Sequence, residues 1–119
     1  MKSAEIAKKL QLKEGQHLRV LEAPKGFSLD MKNVGNGEGA LLVFALNKAE
    51  LMAHESEIVK SARADRLTWV AYPKAGQLGT DLNRDILVRR LDRSGVQGVR
   101  MISIDEIWSA LRLRPIMKR

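Results

Sequence analysis

Residues 66–85 read RLTWVAYPKAGQLGTDLNRD. The first eight, RLTWVAYP, are rich in β-branched and aromatic side chains and close on a proline, which predicts a strand buried on both faces. KAGQLG then predicts a loop loosened by Gly76 and Gly79. TDLNRD supplies the polar oxygens that cap a helix start, with Thr80 or Asp81 as the expected cap. A strand, a tight loop and a capped helix in that order predict one βα unit of an α/β sheet.

Working outward, the pattern repeats. ALLVFAL at 40–46 is a continuous apolar run, the kind found in strands covered on both faces. Asn47 follows it as the cap of a helix of about fourteen residues, with Leu51, Met52, Ile58, Val59 and Ala62 sharing one face. Glu55 falls on that face, where it bends outward, meets an arginine or serves as a carboxylate in chemistry. Upstream, HLRVLEAP at 17–24 predicts a first strand, and Lys25 to Gly39 is turn-rich with one helical turn near Phe27 to Met31. Ser3 caps a short N-terminal helix bearing Ile6, Ala7 and Leu10 on one side, and Gly15 ends it. Downstream, the helix begun near residue 80 runs to Ser94 and stops at Gly95, since glycine readily takes the left-handed conformation that ends helices. QGVRMISID at 97–105 predicts a further buried strand. Over 105–114 a helix capped by Asp105 competes with a strand; Leu111 and Leu113 alternate with Ala110, Arg112 and Arg114, a period of two that favours the strand. Asp105 and Glu106 then form a tight turn, and the last two strands an antiparallel hairpin at the sheet edge, where arginines discourage edge-to-edge pairing. The expected fold is one α/β domain over 1–119. It has a mostly parallel, Rossmann-like sheet flanked by helices, right-handed crossovers, a C-terminal hairpin and a helical lead-in at 1–15.

Composition narrows the function classes. The 119 residues include no cysteine, which excludes disulfides, thiol nucleophiles and thiolate metal sites. His17 and His54 stand alone, without the spacing of a metal-ligand set, so no metal and no cofactor is expected. No G-x-G-x-x-G, P-loop or G-x-S-x-G motif occurs, and no catalytic residue stands out. No apolar stretch approaches the length of a signal or membrane span, so a cytoplasmic protein without a membrane partner is expected. The net charge of +7 lies wholly in residues 60–119, which hold thirteen of the 21 Lys and Arg and six of the 14 acids.

The candidate site comes from the fold expectation, because ligands of open α/β sheets bind beyond the carboxyl ends of the strands. Lys74 supplies a cation just past the strand, Gly76 and Gly79 allow close backbone approach, and Thr80, Asp81 and Asn83 stand at the helix start with its free amides. Arg84 shares the spacing i, i+3, i+4, i+7 with Leu87, Val88 and Leu91, which places it above the apolar stripe. A charge held there needs a partner, either Asp81 or Asp85 or a ligand anion. Asp81 and Asp85 also repel an anion. A second candidate surface is nucleic-acid binding through Arg89, Arg90, Arg93, Arg112 and Arg114, with affinity that falls steeply as salt rises. Trp69 and Trp108 read as core, with base stacking as the alternative.

WVAYPK at 69–74, TDLNRD at 80–85 and IDEIWSALRLRP at 104–115 resemble the signatures of a bacterial family of short proteins known only as a domain of unknown function. The likeness extends to LEAPKGF at 21–27 and LLVF at 41–44. That resemblance implies no activity. More distantly, the order of elements is similar to the C-terminal half of class I methyltransferases that use S-adenosylmethionine. APKGF stands where their glycine-rich cofactor loop would come after the first strand, so the resemblance implies a degenerate, non-catalytic relative. Three functions result: a binding or regulatory module for a small anion or a protein partner, a methyltransferase-like or other small-anion enzyme, and a nucleic-acid-binding protein.

Overall fold

The computed structural model describes residues 6, 8–12, 18–24, 39–74 and 77–116. Among these residues five strands form one sheet: β1 (Leu18–Leu21), β2 (Ala40–Phe44), β3 (Thr68–Pro73), β4 (Val96–Ser103) and β5 (Trp108–Pro115), in the order β1-β2-β3-β5-β4. Two helices connect them, α1 (Lys48–Arg63) between β2 and β3 and α2 (Arg84–Asp92) between β3 and β4, with a short 3-10 turn at Gln77–Gly79. The expected helical turn near Phe27 to Met31, the Ser3 cap and Gly15 lie outside the described residues.

The sheet is α/β but mixed. β1–β2 and β2–β3 pair in parallel, whereas β3–β5 and β4–β5 pair antiparallel. Since β5 opposes both its neighbours, β4 runs the same way as β3, and one reversed strand sits between them. The sheet is therefore not mostly parallel, and the hairpin does not lie wholly at the edge: β5 is interior and β4 is the edge. Burial explains the choice. The first four residues of β5 are all buried and its backbone is paired on both sides, while β4 carries Gly98, Arg100, an irregular register between them, and exposed Val99 and Met101. Such a strand suits an edge, where a bulge and a charge protect unpaired amides. It is not the buried-type strand its sequence suggested.

Alternation sorts each strand's side chains onto two faces. Leu41, Val43, Val70, Tyr72, Leu111 and Leu113 pack with Leu51, Ile58 and Ala62 of α1 and Leu87 and Leu91 of α2. Both long helices thus lie on one face, and the helical N-terminal lead-in meets the other through Ile6 and Leu10. Leu42, Phe44, Trp69, Ala71 and Ala110 turn to the other face, against Ile6 and Leu10 of the N-terminal turn and against Ile104 and Trp108. The Trp69 indole N–H donates to the carbonyl of Leu10 at 2.9 Å, and Trp108 meets Phe44 edge-on at 5.1 Å. Both tryptophans are core. In α1, Met52 is 55% exposed, and buried Ser61 takes a place on the inner face by hydrogen bonding Thr68 Oγ1 at 2.7 Å. A hydroxyl is tolerated there because it is paired.

Candidate functional site

β3 ends at Pro73, and the chain just beyond it is held at the carboxyl end of the sheet by the β4–β5 turn. The Lys74 amide donates to the Ile107 carbonyl at 2.7 Å and its ammonium to Ser103 Oγ at 2.8 Å. Asp105 builds that turn by accepting from the amides of Ile107 and Trp108, each at 2.8 Å. Gly79 adopts φ +65°, the left-handed region expected of a glycine in this loop, with Leu78 before it at φ +53°. Gly76 lies outside the described residues.

The loop then divides its polar residues between two helices. Thr80 Oγ1 accepts from the Leu82 amide at 3.0 Å, and Asp81 Oδ1 accepts from the Lys48 amide, at the first turn of α1, at 2.8 Å. Neither caps α2. Asn83 does, with Oδ1 accepting from the Ile86 amide at 2.9 Å, so α2 starts four residues later than Thr80. Thr80, Asp81 and Asn83 are all capable caps by residue type; Leu82 decides among them. It is buried in the core from outside the helix, and helix begins only beyond it. The far end is also shorter: α2 ends at Asp92, and Gly95 at φ +79° closes the turn with its amide on the Asp92 carbonyl.

These elements enclose an open cleft of about 400 Å³. Tyr72 lines it from β3, Lys74 from just beyond that strand, Met101 from β4 and Ser109 from β5. Asn83, Arg84 and Asp85 line it from the start of α2. Lys74, Asn83 and Arg84 are thus together, while Gly79, Thr80 and Asp81 support the loop outside the cleft lining. Arg84 is exposed at the rim. It makes no hydrogen bond or ion pair among the described residues, with Asp81 engaged elsewhere. The Tyr72 hydroxyl donates to the Met101 sulfur at 3.0 Å. Burial pushes that hydroxyl above its ordinary pKa of 10.0, and the Arg84 guanidinium pulls it partway back, so the arginine's field reaches the cleft floor. Sequence reading missed Tyr72, Met101 and Ser109. Only the pairing of β5 with β3, Tyr72 opposite Ser109, and with β4, Ser103 opposite Ser109, brings their strand ends together.

The arginines proposed for nucleic acid are dispersed. Arg90 clasps Glu55 through Nε and Nη2 at 3.0 and 2.9 Å, joining α2 to α1. This settles Glu55 as an ion-pair partner of an arginine. Arg114 meets Asp65 at 3.3 Å at the amino end of the sheet. Arg112 faces away from both helices and donates to Gln11 Oε1. Arg89 and Arg93 are exposed on α2 and just after it. The residues therefore occupy both faces of the sheet, and the arginines of β5 lie on an interior strand, not the edge.

A wider groove of about 840 Å³ runs along α1 past Met52, Val59, Lys60 and Arg63 to Ser94. Among the described residues no three His, Asp or Glu side chains gather as a metal site, and no helix is long and apolar enough to cross a membrane. No protein-family model matches the chain, and no curated protein matches it significantly in sequence.

Proposed function

We propose that this protein is a binding or regulatory module that takes a small anion in the cleft at the carboxyl end of β3, between Lys74 and Arg84. The observation that carries the reading is Arg84: a guanidinium at the mouth of a cleft, beside a second cation, with no acid bound to it among the described residues. A guanidinium presents a planar fork suited to carboxylate or phosphate. The hydroxyl of Ser109 and the side-chain amide of Asn83 add neutral donors, and the α2 N-terminus adds its positive dipole end. Removal of Asp81 to the start of α1 weakens the expected repulsion of an anion.

The test is an amide NMR titration of the whole protein with inorganic phosphate, sulfate and short carboxylates at moderate salt. Binding here perturbs residues 72–74, 83–85, 101 and 109, and Arg84→Ala removes the perturbation. Shifts spread evenly over the basic surface, or an Arg84→Ala protein that binds as before, would defeat the reading.

A methyltransferase-like relative that has lost catalysis is the second reading. Four strands running one way, with a reversed last strand threaded between the third and fourth, support it. S-adenosylmethionine included in the same titration separates the two. The nucleic-acid reading keeps Arg89 and Arg93 as its exposed residues; it requires binding of short DNA or RNA that collapses with salt.

A further inference from the structure

The cleft holds both signs of charge. Lys74 and Arg84 line it, and Asp85 lines it as well. Asp81, the neighbouring acid in sequence, is consumed by an amide of α1, whereas Asp85 makes no hydrogen bond or ion pair among the described residues. An acid in the first turn complements the helix dipole. That accounts for an acid at this position, but not for one left open to a cleft that already holds two cations. A bare anion entering here gains from Arg84 and loses to Asp85. A ligand carrying an amine as well as an anionic group gains from both. Asn83 and Ser109 also line it, together with Tyr72 and Met101, which is half exposed. An aromatic or thioether surface favours apolar and aromatic groups.

We infer that the cleft recognises a small zwitterion of the α-amino-acid type, its anionic group on Arg84 and Lys74, its ammonium on Asp85, and its apolar side group against Tyr72 and Met101. The inference rests on the anion-binding reading of the same cleft. A volume of about 400 Å³ admits a molecule of that size with water beside it.

The experiment compares three probes that differ by one charged group each: L-phenylalanine, 3-phenylpropanoate without the amine, and phenethylamine without the carboxylate. Each is titrated into the whole protein, into Asp85→Asn and into Arg84→Ala, and followed by amide NMR. An exposed ion pair contributes little, so L-phenylalanine should bind about threefold tighter than 3-phenylpropanoate. Asp85→Asn should erase that ratio without weakening 3-phenylpropanoate, and Arg84→Ala should weaken both. The variant spectra also verify that the fold is retained. If 3-phenylpropanoate binds as well as L-phenylalanine and still depends on Arg84, the zwitterion inference fails while the anion site stands. If phenethylamine matches L-phenylalanine, or if none of the three perturbs the cleft, the anion reading fails together with it.

Discussion

Both helices begin at the same end of the sheet under an asparagine cap, yet one start is closed and the other open. At α1, Asn47 accepts from the Glu50 amide, Glu50 answers by accepting from the Leu46 amide at 2.9 Å, and Asp81 reaches across from the β3–α2 loop to the Lys48 amide. Three oxygens thus satisfy amides around one helix start, a reciprocal arrangement of the capping-box kind. At α2, Asn83 alone caps, the third helical residue is Ile86 rather than an acid, and Arg84 and Asp85 are left with no bonded partner among the described residues. Charge satisfied internally builds structure. Charge left unmatched beside a cleft is available to a ligand.

Removing the seat of α2 should have the largest effect. Leu87 is fully buried against the sheet. Leu87→Ala should cost about 2–5 kcal/mol in urea unfolding through the cavity it leaves, and abolish any anion binding with it. A loss below about 1 kcal/mol would mean α2 is not held by that contact. The caps offer a finer contrast. Asn47→Ala should cost about 1–2 kcal/mol, because it disrupts the linked set around α1, and Asn83→Ala about 0.5–1 kcal/mol. Equal costs would show that the added oxygens at α1 contribute nothing.

Two substitutions should then dissociate stability from binding. Asp81→Ala should lower stability by about 0.5 kcal/mol through the lost amide partner at α1 and leave phosphate or carboxylate binding unchanged. Arg84→Ala should do the reverse, with stability constant within about 0.5 kcal/mol and anion binding gone. Were Arg84→Ala to destabilise the fold strongly, its role would be structural. The smallest effect is a titration. Tyr72 is the one tyrosine of the chain, so its ionisation can be followed by ultraviolet absorbance without ambiguity. Burial raises its pKa, and Arg84→Ala should raise it further by removing the cation that opposes that shift. The folded state holds this proton more tightly than the unfolded state. Its contribution to stability is therefore fully present below pH 10 and declines as pH rises from there through the folded-state pKa. A Tyr72 titration unmoved by Arg84→Ala would place the guanidinium away from the cleft floor.

The buried strands at ALLVF and TWVAYP, the Asn47 cap and the strand character of 108–115 all come from local chemistry: apolar runs, a short polar side chain before a helical period, and alternation over Leu111 and Leu113. The start of α2 did not, because Thr80, Asp81 and Asn83 are all capable caps, and the winner was fixed by Leu82 reaching the core. The site was half legible. Lys74 and Arg84 could be placed at a strand end and a helix start. Their companions Met101 and Ser109 could not, because they lie on strands whose neighbours no periodicity reveals. Arginine clustering in the sequence also suggested one basic surface, whereas alternation along β5 and ion pairs to Glu55 and Asp65 disperse it.

That the chain is α/β, and that 40–44 and 68–73 are strands and 48–63 a helix, follows from the sequence alone, because those choices depend on neighbours within a few residues; over 105–114 local pattern favoured the strand over a competing helix. Tertiary structure alone decided that β5 would enter the sheet between β3 and β4, that both helices would share one face, and that Asp81 would be used while Arg84 and Asp85 would not. Strand order and charge pairing depend on burial and on partners tens of residues away, which a local pattern does not encode. Here that non-local decision is what assembles the cleft.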